Sequence, residues 1–157
     1  MDTREDYILR FIGLLRQAIA QILNYRVAGR YDEALLAAFN AQEKLFGRKT
    51  SELSALDLEE LLRLLRLDET NAVGGEKVLG YAALLRETGL VYAAMDRHDL
   101  ALGCFQLALH ITLTVVVEEK AASDEVWASM RDLMTRIPPE QLHAPVVELL
   151  RQAGEMN

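Results

Sequence analysis

Residues 87–109 read ETGLVYAAMDRHDLALGCFQLAL. Gly89 and Tyr92 stand three apart before the polar stretch Asp96-Arg97-His98-Asp99. Ala101, Phe105 and Ala108 stand four and three apart after it. Steps of three and four place side chains on one face of a helix. Two helices joined by a short turn approach closely where a small residue opens the contact, and Gly89 and Ala101 supply one on each side. Tyr92 and Phe105 then fill the space beside that contact. Ala108, one turn further, leaves room for another helix. The stretch therefore predicts an antiparallel pair of helices over 76–96 and 99–119.

Working outward, YRVAGRYDEALLAAFNA at 25–41 repeats the pattern. Tyr25 aligns with Tyr92, Tyr31 with His98, Ala34 with Ala101 and Ala41 with Ala108, while Gly29 marks the turn. Ala38 replaces the phenylalanine, and Ile22 replaces the helix glycine. Gly89-x-x-Tyr92 followed by Ala101-x-x-x-Phe105 and Ala108 resembles the tetratricopeptide repeat, a helix–turn–helix unit of about 34 residues. Tyr25 and Tyr92 are 67 residues apart, close to two such units. Leu85, Thr88, His98 and Leu113 depart from the residues usual in that repeat (tryptophan, leucine, tyrosine and proline). The resemblance implies stacked helical hairpins: one over 5–46, a degenerate middle helix over 55–67, and one over 76–119. DYILR near the N-terminus, with LDLEELLRLL and GRYDEAL, also resembles a bacterial family of unknown function whose motifs are structural.

The remaining segments extend an all-α reading of six to seven helices in one domain. Ile8, Phe11, Ile12, Leu15, Ile19, Ile22 and Leu23 give the first helix a wide apolar face. Gly29 and Gly47 end the first two helices through positive φ. GRKTSEL reads as a polar segment and DETNAVGG as a loop. Glu59 and Glu60 open the middle helix and Arg63 and Arg66 close it, matching the helix dipole and allowing a Glu59–Arg63 pair. Ser123 is the expected cap of a helix over 124–136. Pro138 and Pro139 stop that helix, a turn follows at 139–143, and Pro145 opens a last helix over 145–153.

Composition narrows the function. The net charge of −7 argues against binding a nucleic-acid backbone. Residues 1–30 are net +2 through Arg4, Arg10, Arg16, Arg26 and Arg30, which scatter around a helix instead of forming an anion-binding stripe. No apolar stretch is expected to reach the ~20 residues of a membrane span, and the N-terminus reads as neither a secretion signal nor a transit peptide. A single cysteine, Cys104, permits no intrachain disulfide and makes the cytoplasm the default location.

Chemistry-bearing motifs are absent. There is no phosphate loop, dinucleotide fingerprint, zinc-protease helix or nucleophile elbow. Glu140-x-x-His143 has diiron spacing, but such sites need two pairs and two further glutamates. It reads as the solvated start of a helix. His110 reads as a packing residue, His98 as a turn aromatic, and Cys104 as a small core residue. Trp127 reads as core rather than as a partner anchor.

The expectation is a non-enzymatic protein–protein interaction module with no cofactor and no metal. In the repeat it resembles, the first helix of each hairpin lines a concave surface that takes a peptide. That mapping nominates Arg16, Ile19, Leu23 and Arg26 from the first hairpin, and Ala83, Arg86, Leu90 and Ala93 from the second. Leu23 and Leu90 stand where repeats that clamp a C-terminal carboxylate carry asparagine, so the surface suits an amphipathic helix instead. Two alternatives stay open. One is a homodimer whose groove is self-occupied by its C-terminal helices. The other is an enzyme or ligand sensor with a pocket between helices.

Overall fold

A computed structural model describes residues 3–66 and 71–156. The described residues form eight α-helices and one 3-10 turn, with no strand among them. The order is α1 Thr3–Val27, α2 Tyr31–Phe46, α3 Thr50–Ser54, α4 Leu58–Arg66, α5 Asn71–Ala94, α6 His98–Glu119, α7 Asp124–Arg136, the turn Pro139–Gln141, and α8 Ala144–Gly154.

Two long hairpins, α1–α2 and α5–α6, dominate, and their turns share one geometry 67 residues apart. Gly29 adopts φ 75° and Asp96 φ 59°. The following residues, Arg30 and Arg97, take φ/ψ of −94°/67° and −95°/68°. Arg30 N donates to Tyr25 O and Arg97 N to Tyr92 O, each at 2.8 Å. Ala34 N then donates to Arg30 O and Ala101 N to Arg97 O, each at 3.0 Å. Glycine reaches the left-handed region at no steric cost, whereas Asp96 enters it as one of the few side chains that tolerate it.

Within the second hairpin Gly89 does open a close contact, but the side chains seated against it are Phe105 and Cys104, not the expected Ala101. A β-carbon placed on Gly89 would lie 2.6 Å from Phe105 Cε1 and 3.1 Å from Cys104 Cβ. The buried Phe105 ring occupies the space that any other residue would fill. The hairpins then meet without an intervening layer, because α5 packs against both α1 and α2. Gly80 lets Phe11 and Leu15 approach, at 3.1 Å from its would-be β-carbon. Leu84 and Val91 join Ile22, Ala34, Ala38 and Ala41 in a buried cluster. Full burial of Leu84 alone is worth about 1.5–3 kcal/mol. The middle segment, expected to separate the hairpins, instead lays α4 on α5 while α3 follows α2.

The larger core gathers around α6, which contacts α5, α7 and α8. Two buried glutamines secure its periphery. Gln106 Nε2 donates to Gln141 O at 2.8 Å, tying α6 to the turn before α8. Gln42 Oε1 accepts from Thr50 Oγ1 at 2.8 Å, tying α2 to α3. Such pairing is what makes a buried amide tolerable.

Several boundaries differ from the sequence expectations. The six to seven helices expected become eight because GRKTSEL contributes α3. The middle helix, expected over 55–67, runs Leu58–Arg66, with Asp57 Oδ1 accepting from Glu60 N at 2.8 Å as its cap. Residue 67 lies outside the described residues, as does the start of the expected DETNAVGG loop. From Asn71 that stretch is already helix, so the hairpin begins at 71 and not 76. Gly74 and Gly75 are contact residues there, not loop residues. Their would-be β-carbons lie 3.2 Å from Arg66 Cγ and 2.5 Å from Glu119 Oε1. Arg66 pairs with Glu118 of α6 at 2.7 Å. The expected absence of a span-length apolar stretch is also corrected. α6 is long and apolar enough to cross a membrane, with mean hydropathy 2.0, yet 56% of that window is buried inside the fold. The other punctuation matches: Gly47 has φ 69°, Ser123 Oγ accepts from Val126 N at 3.2 Å, and Pro145 lies in the first turn of α8.

Candidate interaction surface

The eight nominated residues fall on α1 and α5, which pack against each other. Arg16 is exposed and Ile19 half-buried, while Leu23 keeps 40% of its surface open. On α5, Ala83, Leu90 and Ala93 are half-buried, the last two against the main core. Partly open apolar residues therefore lie on both helices, Ile19 against the smaller core and Leu90 and Ala93 against the larger.

Two of the three nominated arginines, Arg26 and Arg86, are not free rim charges. Arg86 Nε donates to Asp132 Oδ2 on α7 at 2.9 Å, and its Nη2 approaches the same oxygen at 2.7 Å. Its Nη1 donates to Glu87 Oε1 at 3.2 Å. Arg136 Nε also donates to Asp132 Oδ2 at 2.9 Å, and its guanidinium lies 5.8 Å from the centre of the Phe105 ring. Arg26 Nη2 comes within 4.0 Å of Glu87 Oε2. One network thus links α1, α5 and α7 through three arginines and two carboxylates. Arg26 Nε and Glu87 Oε2 are buried within it without a hydrogen-bond partner.

The two carboxylates respond in opposite directions. Burial pushes the Glu87 carboxyl above its ordinary value, against the lowering influence of Arg86, Arg26 and Arg136. Burial also works to raise Asp132, but hydrogen bonds from Arg136 and Arg86, with their charges, outweigh it and hold Asp132 below the ordinary value. Of the nominated set, Arg26 and Arg86 are brought together at Glu87. Glu87, Asp132 and Arg136 were missed. Arg86 and Glu87 are the only charged residues between 78 and 95, a signal for Glu87 that the sequence did contain. Asp132 and Arg136 had no such signal.

Of the residues weighed for chemistry, only His110 and His143 come near each other. Burial raises the half-buried Cys104 thiol to about 11, so it is not poised as a nucleophile. His110 is half-buried, and burial, with His143 nearby, lowers its pKa. His98 is exposed beside Asp96, its Nε2 3.5 Å from Asp96 Oδ1. Trp127 is half-buried against the main core. No group of three or more metal-ligating side chains forms among the described residues. Comparison with known families, curated proteins and solved structures finds no match to this chain.

Proposed function

We propose that the chain is a non-enzymatic protein–protein interaction module of tetratricopeptide-repeat type, which receives an amphipathic helix along the α1–α5 surface. The observation carrying this reading is the partly exposed apolar set of Ile19, Leu23, Leu90 and Ala93 on two packed helices. The matching turns of the two hairpins and the seating of α5 against α1 and α2 support the repeat assignment. A helix offering leucine-like side chains along one stripe would bury Leu23, while acidic residues at its edge would meet Arg16. At the α5 end, the Arg86–Asp132 bond favours a second reading in which the chain's own α7 closes that part of the surface.

The test is affinity capture from the native host with the wild-type chain and with a Leu23→Asp/Leu90→Asp variant. Circular dichroism checks that the fold is kept. Each protein lost with the variant is then purified and tested in binary titration. The proposal expects at least one direct binder that the variant binds at least tenfold more weakly. Equal binding by a folded variant refutes it.

A further inference from the structure

A separate groove of about 350 Å3 opens between α1 and α2, lined by residues of those two helices alone. Leu14, Ala18, Ala37 and Ala41 line it together with the polar Gln17, Gln21 and Asn40, and Leu36 lines it too with 59% of its surface exposed. Charge along α2 is arranged about the middle of that groove. Glu33, Ala37, Asn40 and Lys44 follow at steps of four, three and four, which places them in one stripe. Glu33 lies in the first turn of α2, where it also accepts from Arg30 Nε at 3.0 Å, and Lys44 lies in the last.

We propose that this groove is a two-fold interface between two copies of the chain, with α2 laid antiparallel against α2. The charge pattern is its own complement. A two-fold axis midway between Glu33 and Lys44 sets Glu33 opposite Lys44 of the second copy, and Lys44 opposite its Glu33. The same axis sets Ala37 opposite Asn40 and brings the exposed Leu36 of each copy to the same side of the seam. Antiparallel apposition also opposes the two helix dipoles. An isologous contact requires this self-complementarity of a single patch, whereas an unrelated partner helix would not require the acid and the base to be symmetric about the small residues. The face is distinct from the α1–α5 surface proposed above, so the two proposals fail independently.

Sedimentation equilibrium of the full chain over a concentration series tests the interface. The wild type is expected to dimerise, and Leu36→Asp to abolish dimerisation. Glu33→Lys or Lys44→Glu alone weakens it roughly tenfold, since each creates two like-charge contacts per dimer. Mixing the two singly reversed variants restores association, because every charged contact in the mixed pair is then complementary. Leu23→Asp/Leu90→Asp leaves the dimer unchanged. A wild-type monomer at every concentration overturns the proposal. So does a dimer indifferent to the single reversals, or a mixture no tighter than its components.

Discussion

Replacing Gly89 with alanine sets two effects of known size against each other. In an open helix the change stabilises by about 1 kcal/mol, because alanine restricts the unfolded backbone. Here the new methyl would lie 2.6 and 2.9 Å from two carbons of the Phe105 ring. Phe105 is only 4% exposed, so the ring cannot swing into solvent, and overpacking of this kind costs about 1–3 kcal/mol. The net expectation is a loss of about 1 kcal/mol. Gly103 on the facing helix is the internal control, with nothing within 4 Å of its would-be β-carbon. Gly103→Ala should gain about 1 kcal/mol. The two variants should therefore differ by about 2 kcal/mol, or roughly 4–8 °C in thermal midpoint for a chain of this size. Adding Phe105→Leu to each variant completes the test. It should cost less in the Gly89→Ala background than in the wild type, because the clash leaves with the ring. If Gly89→Ala stabilises as much as Gly103→Ala, the close approach of α5 and α6 is wrong, and so is the reasoning that began from residues 87–109.

Four further outcomes follow from individual residues. Asp96→Gly should raise stability by about 0.5–1 kcal/mol, because Asp96 holds φ 59° where its counterpart Gly29 needs no such strain. Gly29→Ala should lower stability by a similar amount, and urea midpoints of both variants check this. The Glu87 carboxyl is raised in the fold, so the native chain binds that proton more tightly than the unfolded chain does. Stability is then lost as pH rises from the ordinary carboxylate range through the folded value. Glu87→Gln mimics the protonated form. It should match the wild type in acid and become progressively more stable than it as pH rises above the ordinary carboxylate range, and the opposite trend refutes this. Finally, with its thiol raised to about 11, Cys104 should be alkylated at pH 8 about a hundredfold more slowly in the native chain than in denaturant, as followed by mass spectrometry.

The parts of the fold legible in the sequence are those fixed by local chemistry. Gly29 and Gly47 mark helix ends because positive φ is written into the residue, and Ser123 and Pro145 mark helix starts for equally local reasons. Where tertiary contact decides, the same punctuation misleads. Gly74 and Gly75 read as a loop, yet they lie in a helix, where Arg66 and Glu119 leave little room for a β-carbon. α3 has too few apolar residues to show periodicity, and Thr50 is fastened from Gln42, eight residues earlier. The candidate surface follows the same division. Leu23 and Arg86 could be nominated only through the repeat resemblance, and Arg86's partner Asp132 is 46 residues away, where no local pattern points to it.

The centrality of α6 also has a consequence during biosynthesis. The ribosome delivers α5 before α6, so one side of the most apolar helix can be covered as soon as it emerges. The sides that receive α7 and α8 depend on residues 120–154, still to be made, a delay of roughly two to seven seconds at ordinary elongation rates. During that interval the nascent chain displays the apolar sides of α6 that α7 and α8 later cover, and it offers them to any factor that patrols emerging polypeptides for greasy helices.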